Sequence, residues 1–421
     1  MHEVARRLKF LAYSVGFGLR VFIKWILFGV LTGIFVGAIA TAFYYALAFA
    51  TDFRTDHPAI ILALPLGGLL IAFLYQKFMK QDKGTNVVIA AIHKDEEIPL
   101  RVAPLIFVST FLTQFFGASA GREGAALQLG GSLSAWLGRR LHLNKDDTHI
   151  IILCGMSAGF SAIFGTPLAA AIMPIEMMSV GTMQYSALVP CVLASLIAHS
   201  FAVCCGVESE SFVVSEIPDL TILPFLQTLL LAICFGVLAA AFCLMLHETG
   251  NLLKKYFKNP YVRIVVTSLI IIGLTLLLQT TDYMGAGMDV VKESFEVTAS
   301  PFAFLLKMIF TSLALGAGFK GGEIVPAFFV GATFGSFFGP LIGLPRALSA
   351  ACGMIGVFCG VTNCPITALF IGFDLFGFEG MPYYLITIAV SYMMSGYHGL
   401  YKEQKIVFSK YQTKLINRHP K

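Results

Sequence analysis

The segment Gly121-Arg122-Glu123-Gly124-Ala125 sets a glutamate between glycines directly after Val102–Gly121, a run of 20 residues without a formal charge. A helix of that length crosses ~30 Å of hydrocarbon, and a carboxylate beside such a run points to an ion or proton pathway. About 200 residues later, Gly321-Gly322-Glu323-Ile324-Val325-Pro326 repeats the arrangement at the head of the uncharged run Ile324–Pro345. Other landmarks keep the same order in both copies. Gly131 pairs with Gly331, Cys154-Gly155-Met156 with Cys352-Gly353-Met354, Pro167 with Pro365 and Glu176 with Asp374. Chance explains one such match among glycine-rich helices, but not a series at nearly constant offset, so the chain reads as an internal duplication.

The composition fits a membrane setting. The chain is 57% hydrophobic and 13% charged, with a mean hydropathy of +0.80, whereas a soluble chain averages about 45–50% apolar and about 25% charged. Further uncharged runs are Trp25–Thr51, His57–Gln76, Thr148–Ile175, Met177–Val207, Leu220–His247, Ile264–Thr281, Ala347–Phe373 and Gly380–Tyr401. The expected fold is an all-α polytopic membrane protein, with helices broken near Pro167, Pro174 and Pro365. The period-2 alternation of a membrane β-barrel is missing. The 9 cysteines lie in apolar runs without metal-ligand spacing, which excludes a disulfide scaffold and gives no metal site.

Arg6, Arg7, Lys9, Arg20 and Lys24 precede the first run, and Lys402, Lys405, Lys410, Lys414, Arg418 and Lys421 follow the last, against Glu403 alone. Excess positive charge stays on the cytoplasmic side, so both termini are expected there, and membrane orientation explains the basic ends better than nucleic acid does. No small-residue cleavage site marks a signal peptide. The segment Glu208–Asp219 has four acids and no base, and is assigned to the outside. The expected organisation is an N-terminal cytoplasmic segment at 1–24, a first membrane repeat at 25–219, a second at 220–401 and a basic cytoplasmic tail at 402–421. With 20 residues after Tyr401, no cytoplasmic nucleotide-binding domain is expected.

A duplicated membrane protein usually binds its substrate near the midplane, where discontinuous helices end. Helix N-termini present free N–H groups and positive partial charge to anions, and glycine lets those amides come close. Glu123 and Glu323 each stand between glycines and a small-residue run, Ala125–Leu137 and Ala327–Phe338. That arrangement describes an anion pathway. Glu176 and Asp374 read instead as helix-closing acids.

These residues carry a resemblance to the CLC family of chloride channels and proton-coupled anion antiporters. Gly121–Ala125 resembles the family's GREGP segment, Gly321–Pro326 its GGxFxP segment, and Ser395-Gly396-Tyr397-His398-Gly399-Leu400-Tyr401 the start of its final helix with the pore tyrosine, here Tyr401. The resemblance implies inverted-topology repeats, a homodimer, no cofactor and a plasma (inner) membrane location. Three departures are similar to the fluoride-exporting branch. Gly84-Thr85-Asn86-Val87-Val88 replaces the family's GSGIP, Ala125 replaces proline, and Glu323 replaces an apolar residue. Met177 after Glu176 also fits, because that branch lacks the second internal acid. The selectivity position falls on Thr85 or Asn86.

The resemblance implies proton-coupled fluoride export, with chloride/proton exchange or a chloride channel as the alternative. Glu123 is expected to occupy the anion site as a carboxylate and to leave it when protonated, while Glu323 supports proton delivery from the cytoplasm. Candidate anion contacts are Gly121, Arg122, Gly124, Ala125, Gly322, Ile324, Val325, Tyr401 and Thr85 or Asn86, with Phe328 and Phe329 as candidate aromatic contacts. An enzyme is not expected, since His149, His199, His247 and His398 are scattered without catalytic or metal spacing.

Overall fold

The computed structural model describes residues 2–79 and 82–420. In chain order the helices are α1 (His2–Asp56), α2 (Leu64–Phe78), α3 (Asn86–Lys94), α4 (Val102–Phe115), α5 (Glu123–Arg140), α6 (Lys145–Phe164), α7 (Pro167–Met177) and α8 (Leu188–Cys204). A second series follows with α9 (Ile222–Tyr256), α10 (Pro260–Leu278), α11 (Met288–Glu296), α12 (Ala303–Ala317), α13 (Ile324–Leu341), α14 (Arg346–Thr362), α15 (Pro365–Phe376) and α16 (Met381–Met394). Each helix of the first series has a counterpart eight places on, long opposite long and short opposite short. Leu27, Leu66, Leu223, Leu276 and Leu277 remain exposed on their helices, as a lipid-facing surface requires.

The repeats are bolted together by crossed caps. Glu176 at the end of α7 accepts hydrogen bonds from the N–H groups of Ile366 (2.9 Å) and Thr367 (2.7 Å) and from the Thr367 hydroxyl (2.6 Å), in the first turn of α15. Asp374 near the end of α15 accepts from Ala169 N–H (3.1 Å), in the first turn of α7. Each acid therefore satisfies N–H groups that lack an acceptor in their own helix. Close helix pairs within each repeat also match. A Cβ on Gly130 would lie 2.0 Å from the Gly155 carbonyl oxygen, and one on Gly331 would lie 2.0 Å from that of Gly353. The counterpart of Gly331 in this contact is thus Gly130, one residue before the Gly131 that sequence spacing pairs with it.

The structure departs from the sequence reading in four further places. Among the described residues seven helices are long and apolar enough to cross a membrane, fewer than the ten uncharged runs. The runs Thr148–Ile175 and Ala347–Phe373 each split in two, because Gly165 (φ 74°) and Asn363 (φ 61°) turn left-handed just before a helix that opens on proline. Helix α12 escapes a search for uncharged runs because Lys307 lies inside it, fully buried. Its ammonium donates to the Tyr283 and Gly285 carbonyls at 3.3 and 2.9 Å. Ser395–Tyr401 forms turns and bends after α16 and begins no helix.

The chain beyond Tyr401 is folded. Strands β1 (Ser179–Val180), β2 (Lys405–Phe408) and β3 (Leu415–Arg418) make a sheet in the order β1-β2-β3, parallel and then antiparallel. This small sheet adds to an otherwise helical fold. Lys410 docks it through the Asn363 side chain (2.5 Å), the Tyr392 carbonyl (3.0 Å) and the Ser395 hydroxyl (3.0 Å). Lys94 at the end of α3 pairs with Glu403 at 2.6 Å and holds its carboxyl below the usual range. Next to it in sequence, Asp95 meets His149 (3.1 Å) on α6, whose Asp147 binds Lys24 of α1 at 2.5 Å. The C-terminal sheet and the Lys24 end of α1 consequently share one face.

Candidate functional site

The two helix starts meet head to head. Gly121 N–H donates to the Gly322 carbonyl at 2.7 Å, and Gly322 N–H donates to the Gly121 carbonyl at 2.8 Å, an isolated antiparallel bridge between the repeats. A side chain at 322 is excluded, because its Cβ would lie 2.5 Å from the Gly124 nitrogen. From this junction α5 and α13 run to opposite faces. α5 is followed by α6 near Lys24, whereas the Ile342 carbonyl just past α13 accepts from Gln227 of α9 at 2.5 Å. Gly124, Ala125, Ile324 and Val325 all lie in first turns and are all buried. Their N–H groups have no acceptor within the helix, so four backbone donors and the positive ends of two helix dipoles converge.

The two carboxylates sit differently. Glu123 is fully buried. One oxygen accepts from Arg122 N–H at 3.0 Å; the other has no hydrogen-bond partner and lies 3.5 Å from Arg122 Nε. Arg122 also reaches Glu210 at 3.6 Å and stacks over Tyr44, and Glu210 pairs with Lys292 at 2.8 Å. Glu323 is partly buried, makes no cap bond to its own helix, and keeps Oε2 buried without a partner.

Two vestibules approach the junction without meeting. One, about 610 Å³, opens toward the face with Glu403 and is lined by Thr85, Gln128, Lys320, Glu323 and Lys402. The other, about 380 Å³, is lined by Tyr44, Arg54, Arg122, Glu210 and Lys292. Glu123 and Tyr401 line neither; Glu123 lies between Arg122, which lines the second, and Gly124, which adjoins Thr85 and Glu323 of the first. Tyr401 is buried with its hydroxyl unpartnered, held from behind by Leu400 N–H on the Val361 carbonyl (2.9 Å). A larger cleft of about 920 Å³ lies away from both glutamates, against Ser211, Glu216 and Arg346.

The two candidates left open by the sequence have different surroundings. Thr85 is buried, and its hydroxyl lies 3.2 Å from where a Cβ on Gly124 would be. Asn86 is engaged at both ends, donating to the Lys83 carbonyl (3.2 Å) and accepting from Glu403 N–H (3.0 Å). The Arg122 guanidinium turns toward the second vestibule, away from the helix junction. Phe328 stacks between Phe164 and Phe358, both centroids 5.4 Å away, and Phe329 packs on Tyr283 and on the Lys307 ammonium. Both phenylalanines are fully buried, so neither faces lipid. Sequence reading missed Gln128, Glu210 and Lys307. A glutamine one turn after Gly124 in a small-residue helix was the available signal for Gln128; Glu210 and Lys307 needed the fold.

This junction of two duplicated broken helices defines a membrane transport protein. The pattern described as "Voltage gated chloride channel" matches residues 67–396, and the chain belongs to that CLC family of channels and transporters. It is 35% identical over 367 residues to a chloride/fluoride channel protein of Pseudomonas syringae pv. tomato, covering 85% of this chain and 81% of that one. It is 25% identical to the H(+)/Cl(-) exchange transporter ClcA of Vibrio parahaemolyticus, covering 75% and 72%. A crystal structure of a CLC-type fluoride/proton antiporter superposes with a TM-score of 0.88 at 35% identity, covering 91% of this chain and 98% of that one.

Proposed function

We propose that the protein exports fluoride from the cytoplasm in exchange for protons. The observation that carries this reading is a pair of unpartnered carboxylate oxygens at the helix junction, Glu123 Oε1 and Glu323 Oε2, with a third unpartnered polar atom in the buried Tyr401 hydroxyl, in a chain 35% identical to a fluoride/proton antiporter. The anion is held by the first-turn N–H groups of Gly124, Ala125, Ile324 and Val325 and by the hydroxyls of Tyr401 and Thr85. Gly121 and Gly322 keep the junction open to backbone approach, and Arg122 acts on the gate from the outer side. Glu123 occupies the anion's place when ionised and vacates it on taking a proton. Glu323, at the end of the inner vestibule, passes protons to and from the cytoplasm. One anion path per subunit of a homodimer, a plasma (inner) membrane location, cytoplasmic termini and repeats at 25–219 and 220–401 complete the proposal.

One observation favours a second reading, chloride/proton exchange: the polar group facing the junction is the Thr85 hydroxyl, and chloride-type relatives carry a hydroxyl there. Purified protein in liposomes under an imposed fluoride or chloride gradient, followed by ion electrode and by pH, decides between them. Fluoride moving much faster than chloride and driving protons uphill in the opposite direction is expected. Chloride flux equal to or above fluoride flux would overturn the fluoride assignment, and anion flux without proton movement would overturn exchange.

A further inference from the structure

We infer that Gln128 is a positioning residue for the anion, fixing the Thr85 hydroxyl as a hydrogen-bond donor toward the space over Gly124. The inference rests on the reading of Thr85 as an anion ligand. Gln128 lies one turn along α5 and is buried. Its side-chain amide is 3.4 Å from the Gly124 carbonyl oxygen and 3.2 Å from Thr85 Oγ1. A carbonyl oxygen can only accept, so the amide end facing it is the NH₂ group. The same NH₂ group then donates its second hydrogen to Thr85, whose oxygen is thereby an acceptor. A hydroxyl has a single proton, and the Thr85 proton must point elsewhere. Thr85 precedes α3 but makes no cap bond with its side chain.

The space open to that proton is defined by Gly124. A Cβ placed there would lie 3.0 Å from Gly322 Cα, 3.2 Å from Thr85 Oγ1 and 3.4 Å from Glu323 Oε2. Glycine leaves this volume free, and Glu323 Oε2 has no partner in it. Among the described residues no hydrogen bond joins Thr85 to Glu323, so a Thr85 proton directed into this volume is left for an anion that enters it. Without Gln128 the hydroxyl loses the donor that fixes its orientation, and it is free to rotate and present lone pairs to the anion. Donor direction at Thr85 is thus set from one turn away by a residue that need not touch the ion.

The test is a double-substitution cycle of Gln128→Met and Thr85→Val on the detergent-solubilised full chain. Halide dissociation constants are read by calorimetry for fluoride and chloride, and proton-coupled flux is measured on the same preparations in liposomes. Each single variant should weaken binding of the transported halide about tenfold, the worth of one hydrogen bond to an ion, and Gln128→Met, which removes no ligand of the ion, should keep the maximal flux within about twofold of wild type. The double variant should be no weaker than Thr85→Val alone. In a Thr85→Ser background, which keeps the hydroxyl, Gln128→Met should again cost about tenfold. Multiplicative losses in the double variant, or unchanged affinity in Gln128→Met, overturn the inference. If the Met variant fails to fold, as judged by melting and size exclusion, Gln128→Leu replaces it, with the same expectations. Wild-type protein that binds halide but carries no protons defeats the proposed function instead, and leaves the binding cycle to decide this point.

Discussion

The starts of α5 and α13 occupy equivalent places in the two repeats, yet one glutamate is tied and the other is free. Glu123 is fully buried and engaged by the backbone and guanidinium of Arg122, itself linked to Glu210. Glu323 opens on the vestibule it shares with Thr85 and Lys402, with no cap bond and an unpartnered oxygen. The residue before each acid makes the difference. Position 122 has room for a long cation directed to the outer vestibule, whereas position 322 must be glycine because its α-carbon packs against Gly124. The two helix starts thus differ by one non-equivalent residue, and the proposed division of labour, gating at Glu123 and proton supply at Glu323, rests on that difference.

The largest effect that could break this contrast is expected at the tied acid. Glu123→Gln keeps the size but cannot titrate, so proton movement coupled to fluoride should vanish in the liposome assay; pumping at the wild-type rate would remove Glu123 from the exchange. The crossed caps give the next effect, on stability. Glu176→Ala strands two amides and a hydroxyl in the interior and should cost about 2–3 kcal/mol, seen as a lower Tm in detergent with exchange retained by the folded fraction. Glu210→Gln should loosen Arg122 and change the fluoride flux only a few-fold. Its Tm should stay within a degree or two, since partly exposed ion pairs contribute about 0–1 kcal/mol. A Glu210 variant that loses coupling entirely would mean that the gate depends on the whole outer chain of charges. Asp374→Asn should be mildest. Its amide oxygen still accepts from Ala169, and the loss of charge at the α7 dipole is worth roughly 0.5 kcal/mol in Tm measurements.

Much of the fold was readable because membrane insertion writes itself as charge spacing. The GREG and GGE segments, the proline-started helices and the paired acids Glu176 and Asp374 all appear in sequence at a nearly fixed offset. What stayed hidden depends on contacts between distant segments. Lys307 broke the run that would have revealed α12, since its acceptors are carbonyls in a loop more than 20 residues upstream. The C-terminal residues read as a basic tail, because nothing local says that Lys410 will be buried beside Asn363 and Tyr392. Thr85 and Asn86 could not be separated, since a one-residue register decides which side chain faces the junction. Gly130 was displaced by Gly131 for the same reason.

Replacing Glu323 by Gln, with Tm and proton-driven fluoride flux read on one preparation, tests the division of labour most directly. The side chain makes no cap bond, so the variant should fold with unchanged yield and Tm. Proton-coupled fluoride movement should nevertheless slow severely or stop, because the inner vestibule then ends on a group that cannot carry a proton. Wild-type coupling in the Gln variant, or a Tm lowered by the ~1 kcal/mol of a lost helix cap with coupling intact, would contradict the account.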